Sequence, residues 1–122
     1  CLPYADASFD LAFCYGVIFC TPWRTSLAEL ARVLAPGGRV YVNANDIGWT
    51  VHLWQTAQNA ATDYDPRAVA ARNLANTLAY ERGGLAPTES QVVISQVALI
   101  AAGEAHGLRV LAAGGEGCVH LD

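Results

Sequence analysis

The sequence predicts an α/β fold with parallel strands, and three observations predict it. Phe9-Asp10-Leu11-Ala12-Phe13-Cys14 is a nearly continuous apolar run, the pattern of a strand buried on both faces of a parallel sheet. Leu27, Leu30, Ala31 and Leu34 follow at i, i+3, i+4 and i+7, which marks one face of a helix. Arg39-Val40-Tyr41-Val42-Asn43-Ala44 then reads as a second strand. Residues 9–44 therefore make a strand–helix–strand unit, whose crossover is expected to be right-handed.

Each element has a local reason. Leu2 to Ser8 is a turn-rich lead-in, and Thr21-Pro22-Trp23 reads as a loop before a helix that starts at about Ser26. Pro36-Gly37-Gly38 stops that helix, because Gly tolerates a left-handed cap and Pro cannot continue the helix. Residues 45–63 are rich in aromatics and show no sharp period. Asp65-Pro66 opens a second helix, with an acid at the cap and Pro at the first helical position. It is expected to run to about Tyr80 and to end at Gly83-Gly84. Thr88-x-x-Gln91 fits a capping box. The helix it opens carries Val92, Val93, Ile94, Val97, Leu99 and Ile100, is apolar nearly all round, and is expected to be buried on more than one side before Gly107 ends it. Leu108–Ala112 and Cys118–Leu121 read as two strands that Gly114-Gly115-Glu116-Gly117 closes into an antiparallel hairpin.

Composition narrows the function classes. The chain has 122 residues, enough for one domain; 53% are hydrophobic and 15% charged, which excludes disordered and collagen-like chains. Seven basic residues, all of them Arg, stand against eleven acidic ones for a net charge of −4, a balance that disfavours a nucleic-acid partner. No apolar run approaches the ~18 residues of a membrane span. Cys1, Cys14, Cys20 and Cys118 form no Cys-x-x-Cys pair, so no metal site is expected, and they read as small hydrophobes of a reducing, cytoplasmic compartment. The chain contains no Met and starts Cys-Leu-Pro-Tyr, which reads as a segment of a longer protein.

Two stretches carry a family resemblance: Leu2-Pro3-Tyr4-Ala5-Asp6-Ala7-Ser8-Phe9-Asp10-Leu11-Ala12-Phe13, and Leu27-Ala28-Glu29-Leu30-Ala31-Arg32-Val33-Leu34-Ala35-Pro36-Gly37-Gly38-Arg39-Val40-Tyr41-Val42. Together they resemble the class I S-adenosylmethionine-dependent methyltransferases, over about the first third of the chain. The segment from the last helix through His106-Gly107-Leu108-Arg109-Val110 is similar more loosely. The resemblance implies the C-terminal half of a Rossmann-like methyltransferase sheet: a parallel βαβ unit, further helices and a C-terminal antiparallel hairpin. It divides the single partial domain into a core at 1–44, a variable insert with a helix at 45–87, and a helix plus hairpin at 88–122. It also implies that the family's glycine-rich loop and ribose-binding acid have no counterpart in these residues. Physical reasons stand beside the pattern. Leu27, Leu30 and Leu34 form the sheet-facing stripe, worth roughly 1.5–3 kcal/mol per fully buried Leu, while Glu29 and Arg32, three apart on the other side, can pair.

The resemblance carries S-adenosylmethionine to the end of the first strand, at Cys14, Tyr15 and Gly16, and also to Leu2 and Pro3. Open α/β sheets bind ligands at the carboxyl ends of their strands, in agreement with the first set. Asp46 lies just past the second strand and His52 shortly after; each reads either as a general base or, respectively, as a turn cap and an exposed loop residue. Asn45, Trp49 and Trp54 are candidates for the acceptor side; the two Trp residues read also as cation–π partners of a sulfonium, or as packing of a loop onto the core, the commoner role of such aromatics. His106 reads as a helix-end residue. The family's DNA-amino enzymes carry an (Asp/Asn/Ser)-Pro-Pro-aromatic motif where this chain has Cys14-Tyr15-Gly16-Val17, which points to a small-molecule acceptor.

Three functions follow in order. The first is a methyltransferase acting on a small molecule, its cofactor site incomplete in this segment. The second is a half-Rossmann interaction module completed by a partner chain. The third, a dehydrogenase fragment, is disfavoured because no Gly-x-Gly-x-x-Gly follows a strand. An unpaired, apolar Phe9–Cys14 edge would also favour self-association.

Overall fold

A computed structural model describes residues 1–83 and 91–115. The strand–helix–strand unit is present: β1 (Phe9–Cys14), α1 (Trp23–Val33) and β2 (Leu34–Val42), with the two strands parallel and Phe13 opposite Tyr41, Cys14 opposite Val42. β1 has the bounds its apolar run predicts. The helix and second strand do not.

α1 begins at Trp23, three residues before the expected Ser26. No side chain at Pro22 caps it; instead the Tyr80 hydroxyl accepts from the Arg24 N–H at 3.2 Å. A cap supplied from α3 leaves no trace in the local sequence. β2 begins at Leu34, whose extended backbone (φ −76°, ψ 132°) takes it out of the helical stripe. Pro36-Gly37-Gly38 therefore lies inside the strand. The register slips between Phe9/Leu34 and Leu11/Arg39, so these residues form a bulge. Gly37 has φ +80°, and a Cβ on Gly38 would sit 2.8 Å from the Ala35 carbonyl oxygen and 3.1 Å from that of Phe9.

The expected burial of β1 on both faces is also corrected. Alternation puts Ala12, Cys14, Val40 and Val42 on one face, where Cys14 and Val42 pack on the core. The other face is open: Leu11 is 66% and Phe13 62% exposed. There the rings of Phe13 and Tyr41 stack at 5.0 Å, with Tyr15 6.0 Å from Phe13.

The core gathers Ile18 and Phe19 from a short 3-10 turn (Ile18–Cys20), Trp23 and Leu27 of α1, Tyr80, and Val92 and Ile94. Trp23, expected in a loop, is 1% exposed; its Nε1 finds no acceptor among the described residues. The Arg24 guanidinium lies 4.2 Å above the Trp23 ring and bonds Glu81 at 2.8 Å.

The aperiodic stretch after β2 contains α2 (Ile47–Thr56). α3 (Pro66–Gly83) starts as expected, Asp65 Oδ1 accepting from the N–H groups of Arg67 (2.9 Å) and Ala68 (3.3 Å). α4 spans Gln96–Ala105, so Val92–Ile94 are not helical as expected. They run extended because tertiary bonds hold them: Val92 N–H donates to the Phe19 carbonyl and Ile94 N–H to that of Asn45, both at 2.9 Å. Ser95 caps α4 through the Ala98 N–H. α4 is not buried on several sides; Val97 is 78% exposed. Gly107, at φ +80°, ends it after His106, as expected. Residues 108–112, expected as a strand, form none: Leu108 packs on the core while Val110 and Leu111 face solvent. Gly84, the Thr88 capping box and the hairpin's Glu116 to Leu121 lie outside the described residues. No helix among the described residues is long and apolar enough to cross a membrane.

Candidate functional site

At the carboxyl ends of the two strands the chain leaves β1 through Cys14, Tyr15 and Gly16. Asn43, the first residue past β2, ties this end together: its N–H donates to the Cys14 carbonyl at 3.0 Å, and its Oδ1 accepts from Gly16 N–H at 3.2 Å. Gly16 turns the backbone at φ +68°, and a Cβ placed there would meet nothing within 4 Å. Burial pushes the Cys14 thiol pKa up, with the backbone at Ile18 opposing it. A thiol so shifted is protonated at neutral pH and is a poor nucleophile.

α2 rises from this same end. Asp46 caps it, Oδ1 accepting from Ile47 N–H at 2.6 Å, as its turn-cap reading expects. Asn45 is bound to the segment before α4, its Nδ2 donating to Gln91 Oε1 at 3.0 Å. Trp49 and His52 stack on one side of α2 with ring centroids 5.6 Å apart, both exposed to solvent. His52 Nε2 lies 2.7 Å from Gln58 Oε1. Trp54 stands half out of an apolar groove of about 190 Å³ between α2 and α3, lined also by Ile47, Thr50, Val51, Gln55, Ala70 and Leu74.

Leu2 and Pro3 are not brought to this place. The Arg32 guanidinium, at the last turn of α1, donates to the carbonyls of Tyr4 (2.9 Å) and Leu2 (3.3 Å), to Asp6 (2.6 Å), and in a two-pronged pair to Glu29. Glu29 in turn accepts from the Leu2 N–H at 2.8 Å. Arg32 and the Leu2 amide hold the Glu29 carboxyl at a pKa of about 2. The last turn of α1 leads straight into β2, so this clamp pins the lead-in to the amino ends of the strands. The six residues of β1, about 20 Å of extended chain, separate it from Gly16.

Cys14, Tyr15 and Gly16 thus gather at one end of the sheet with the start of α2, and Asp46, Asn45, Trp49, His52 and Trp54 lie on or beside that helix. Two residues were not singled out from sequence: Asn43 at this end, and Gln58 past the other end of α2. Asn43 had a signal, a polar residue closing an apolar strand. Gln58 had none, since its bond to His52 depends on how the chain turns after α2.

Comparison with known proteins agrees with this architecture. Residues 1–42 match the family described as methyltransferase domain. Over 62 residues, 48% of the chain, it is 42% identical to the biotin biosynthesis bifunctional protein BioHC of Cellvibrio japonicus (strain Ueda107). That stretch spans 12% of the relative's length. No solved structure matches the chain. The family match takes in β1, α1 and the bulged β2 as one unit, so the resemblance to a methyltransferase domain covers the strand–helix–strand part of the chain.

Proposed function

We propose that the protein transfers a methyl group from S-adenosylmethionine to a small-molecule acceptor in the cytoplasm. The observation that carries this reading is the methyltransferase-type strand pair ending, through Asn43 and Gly16, beside the start of α2. The residues present fit one flank of the cofactor: an open strand end that turns on a left-handed Gly16 with free space over its Cα. Cys14, Tyr15 and Gly16 would hold it there, and bound cofactor supplies an electrophilic sulfonium methyl. Leu2 and Pro3, at the other end of the strands, take no part. Residues 1–44 form the cofactor-side core in this reading.

Residues 45–87 supply the acceptor side. Trp54 and the α2–α3 groove suit an acceptor with an apolar portion, whereas His52 stacks with Trp49 away from that groove and is not assigned as its base. The matched relative is named for biotin biosynthesis, which supports a small-molecule acceptor, as does the net charge of −4. The test uses the intact gene product, methyl-labelled S-adenosylmethionine and a cell extract divided into small-molecule, nucleic-acid and protein fractions. Label in the small-molecule fraction is expected. Label in nucleic acid would contradict the acceptor class, and no incorporation anywhere would contradict the reaction.

The second edge of β1, which pairs with no strand among the described residues, and the exposed Leu11 and Phe13 beside it favour a second reading, an interaction module whose β1 edge pairs with another chain or a second copy. Gel filtration across a dilution series separates the two. A concentration-dependent dimer supports the module, and a stable monomer that binds cofactor excludes it.

A further inference from the structure

We propose that Thr50 sets the specificity of the α2–α3 groove for a neutral acceptor, an apolar ring or short chain whose single oxygen group hydrogen-bonds the Thr50 hydroxyl. The proposal rests on the methyltransferase reading above and names the substrate class it serves. Ile47, Thr50, Val51, Trp54 and Gln55 line the groove from α2 at i, i+3, i+4, i+7 and i+8, one stripe of the helix. Ala70 and Leu74 face them from α3. Thr50 is 3% and Ala70 1% exposed, so these two small residues make the floor. Ile47, Val51, Trp54 and Leu74 stand above them as exposed apolar walls.

The floor carries a polar atom that the chain leaves unpaired. Threonines inside helices can return the hydroxyl proton to the carbonyl four residues back. Thr56 and Thr77 do so, to His52 at 2.8 Å and to Asn73 at 2.6 Å. Thr50 Oγ1 makes no hydrogen bond among the described residues. It is not sealed in, as the unpartnered Trp23 Nε1 and Asn73 Oδ1 are, so it reaches the groove. A hydroxyl so nearly buried costs free energy until something bonds it. Gln55, the other polar lining residue, is exposed, which leaves Thr50 as the buried polar group of the groove.

Volume, charge and position define the ligand. A dry apolar cavity of roughly 150 Å³ holds benzene, so about 190 Å³ admits one six-membered ring or a chain of similar bulk. No charged residue lines the groove, so a carboxylate or ammonium group would lose hydration there without compensation. Ile47 opens α2 four residues past Asn43, so the groove starts beside the strand ends and runs about 10 Å to Trp54. The acceptor lies along α2, its reacting atom toward Ile47 and its apolar portion toward Trp54. Its oxygen group sits one helical turn in, at Thr50.

The test is ¹⁵N–¹H NMR of the intact gene product titrated with phenol and with toluene, which match in size and differ in the hydroxyl. Both should give saturable shifts at Thr50, Val51 and the Trp54 indole N–H, and Trp54→Ala should weaken both. Thr50→Val, which exchanges the hydroxyl for a methyl, should bind toluene as wild type does and weaken phenol about fivefold, one net hydrogen bond. Thr50→Ser, which keeps the hydroxyl, should hold phenol. Phenol affinity unchanged in Thr50→Val overturns the role of the hydroxyl, and no saturable shift at these residues with either probe at millimolar concentration overturns the site. Labelled-methyl incorporation into the small-molecule extract is read beside the titrations. Thr50→Val should need about fivefold more extract for half-maximal incorporation, and Thr50→Ser should not. An unchanged requirement in Thr50→Val overturns the acceptor assignment and leaves methyl transfer standing. Absence of incorporation by wild type overturns the functional reading instead, and the two titrations still decide whether the groove binds through Thr50.

Discussion

Gly38 occupies a position where carbonyl oxygens of Ala35, Phe9 and Asp10 leave a Cβ between 2.8 and 3.2 Å from backbone on three sides. Backbone cannot step aside as a flexible side chain can, so Gly38→Ala should cost about 1–3 kcal/mol, read by denaturant unfolding. Ala57 is the opposite case: a residue with a Cβ in the left-handed C-cap of α2, at φ 47°. Ala57→Gly should stabilise by about 0.5–1 kcal/mol, and a fall in the unfolding midpoint would contradict the strain assigned there. Glu29 makes a pH-dependent contribution whose sign follows from its lowered pKa. Pairing with Arg32 and the Leu2 amide is fully present above the unfolded value of 4.5 and is lost as pH falls toward about 2. Unfolding measured over that window should lose part of its acid sensitivity in Glu29→Gln. At this scale the sequence is legible where partners are close along the chain. Asp65 before Pro66 and Glu29 three residues before Arg32 both do what their spacing implies. Gln58 and Asn43 act across a turn or between strands, and spacing carries no mark of that.

Among the elements, β1 is the one whose bounds match its pattern at both ends, because a short apolar run between turns has few other ways to fold. α1 starts early because Tyr80, from α3, caps it, and Trp23 becomes a core residue instead of a loop aromatic. Trp23→Ala should therefore cost about 3–5 kcal/mol, a core-sized loss, whereas a loop tryptophan would cost well under 1 kcal/mol. Val92 and Ile94 illustrate the same limit. Their apolar spacing suits a helix, but backbone bonds to Phe19 and Asn45 and burial beside Trp23 and Leu27 hold them extended. The bulge at Pro36-Gly37-Gly38 reads locally as a stop, yet pairing with β1 recruits it into the strand.

For the molecule as a whole, the two ends of the strand pair have different work. The amino end is a mechanical clamp, in which Arg32 and Glu29 fasten the lead-in to α1. The carboxyl end is open, turned by Gly16 and braced by Asn43, with α2 rising beside it. Family resemblance pointed to both the carboxyl-end residues and Leu2 and Pro3, and the behaviour of strand ends in α/β sheets agrees with the first set alone; the structure puts the two sets at opposite ends of the strands. One measurement tests this division directly: backbone amide NMR of the intact gene product titrated with S-adenosylhomocysteine. The account predicts saturable shifts at Cys14, Tyr15, Gly16 and Asn43 with the Leu2–Asp6 amides unmoved. Shifts centred on Leu2–Asp6, or none anywhere at millimolar ligand, would contradict it.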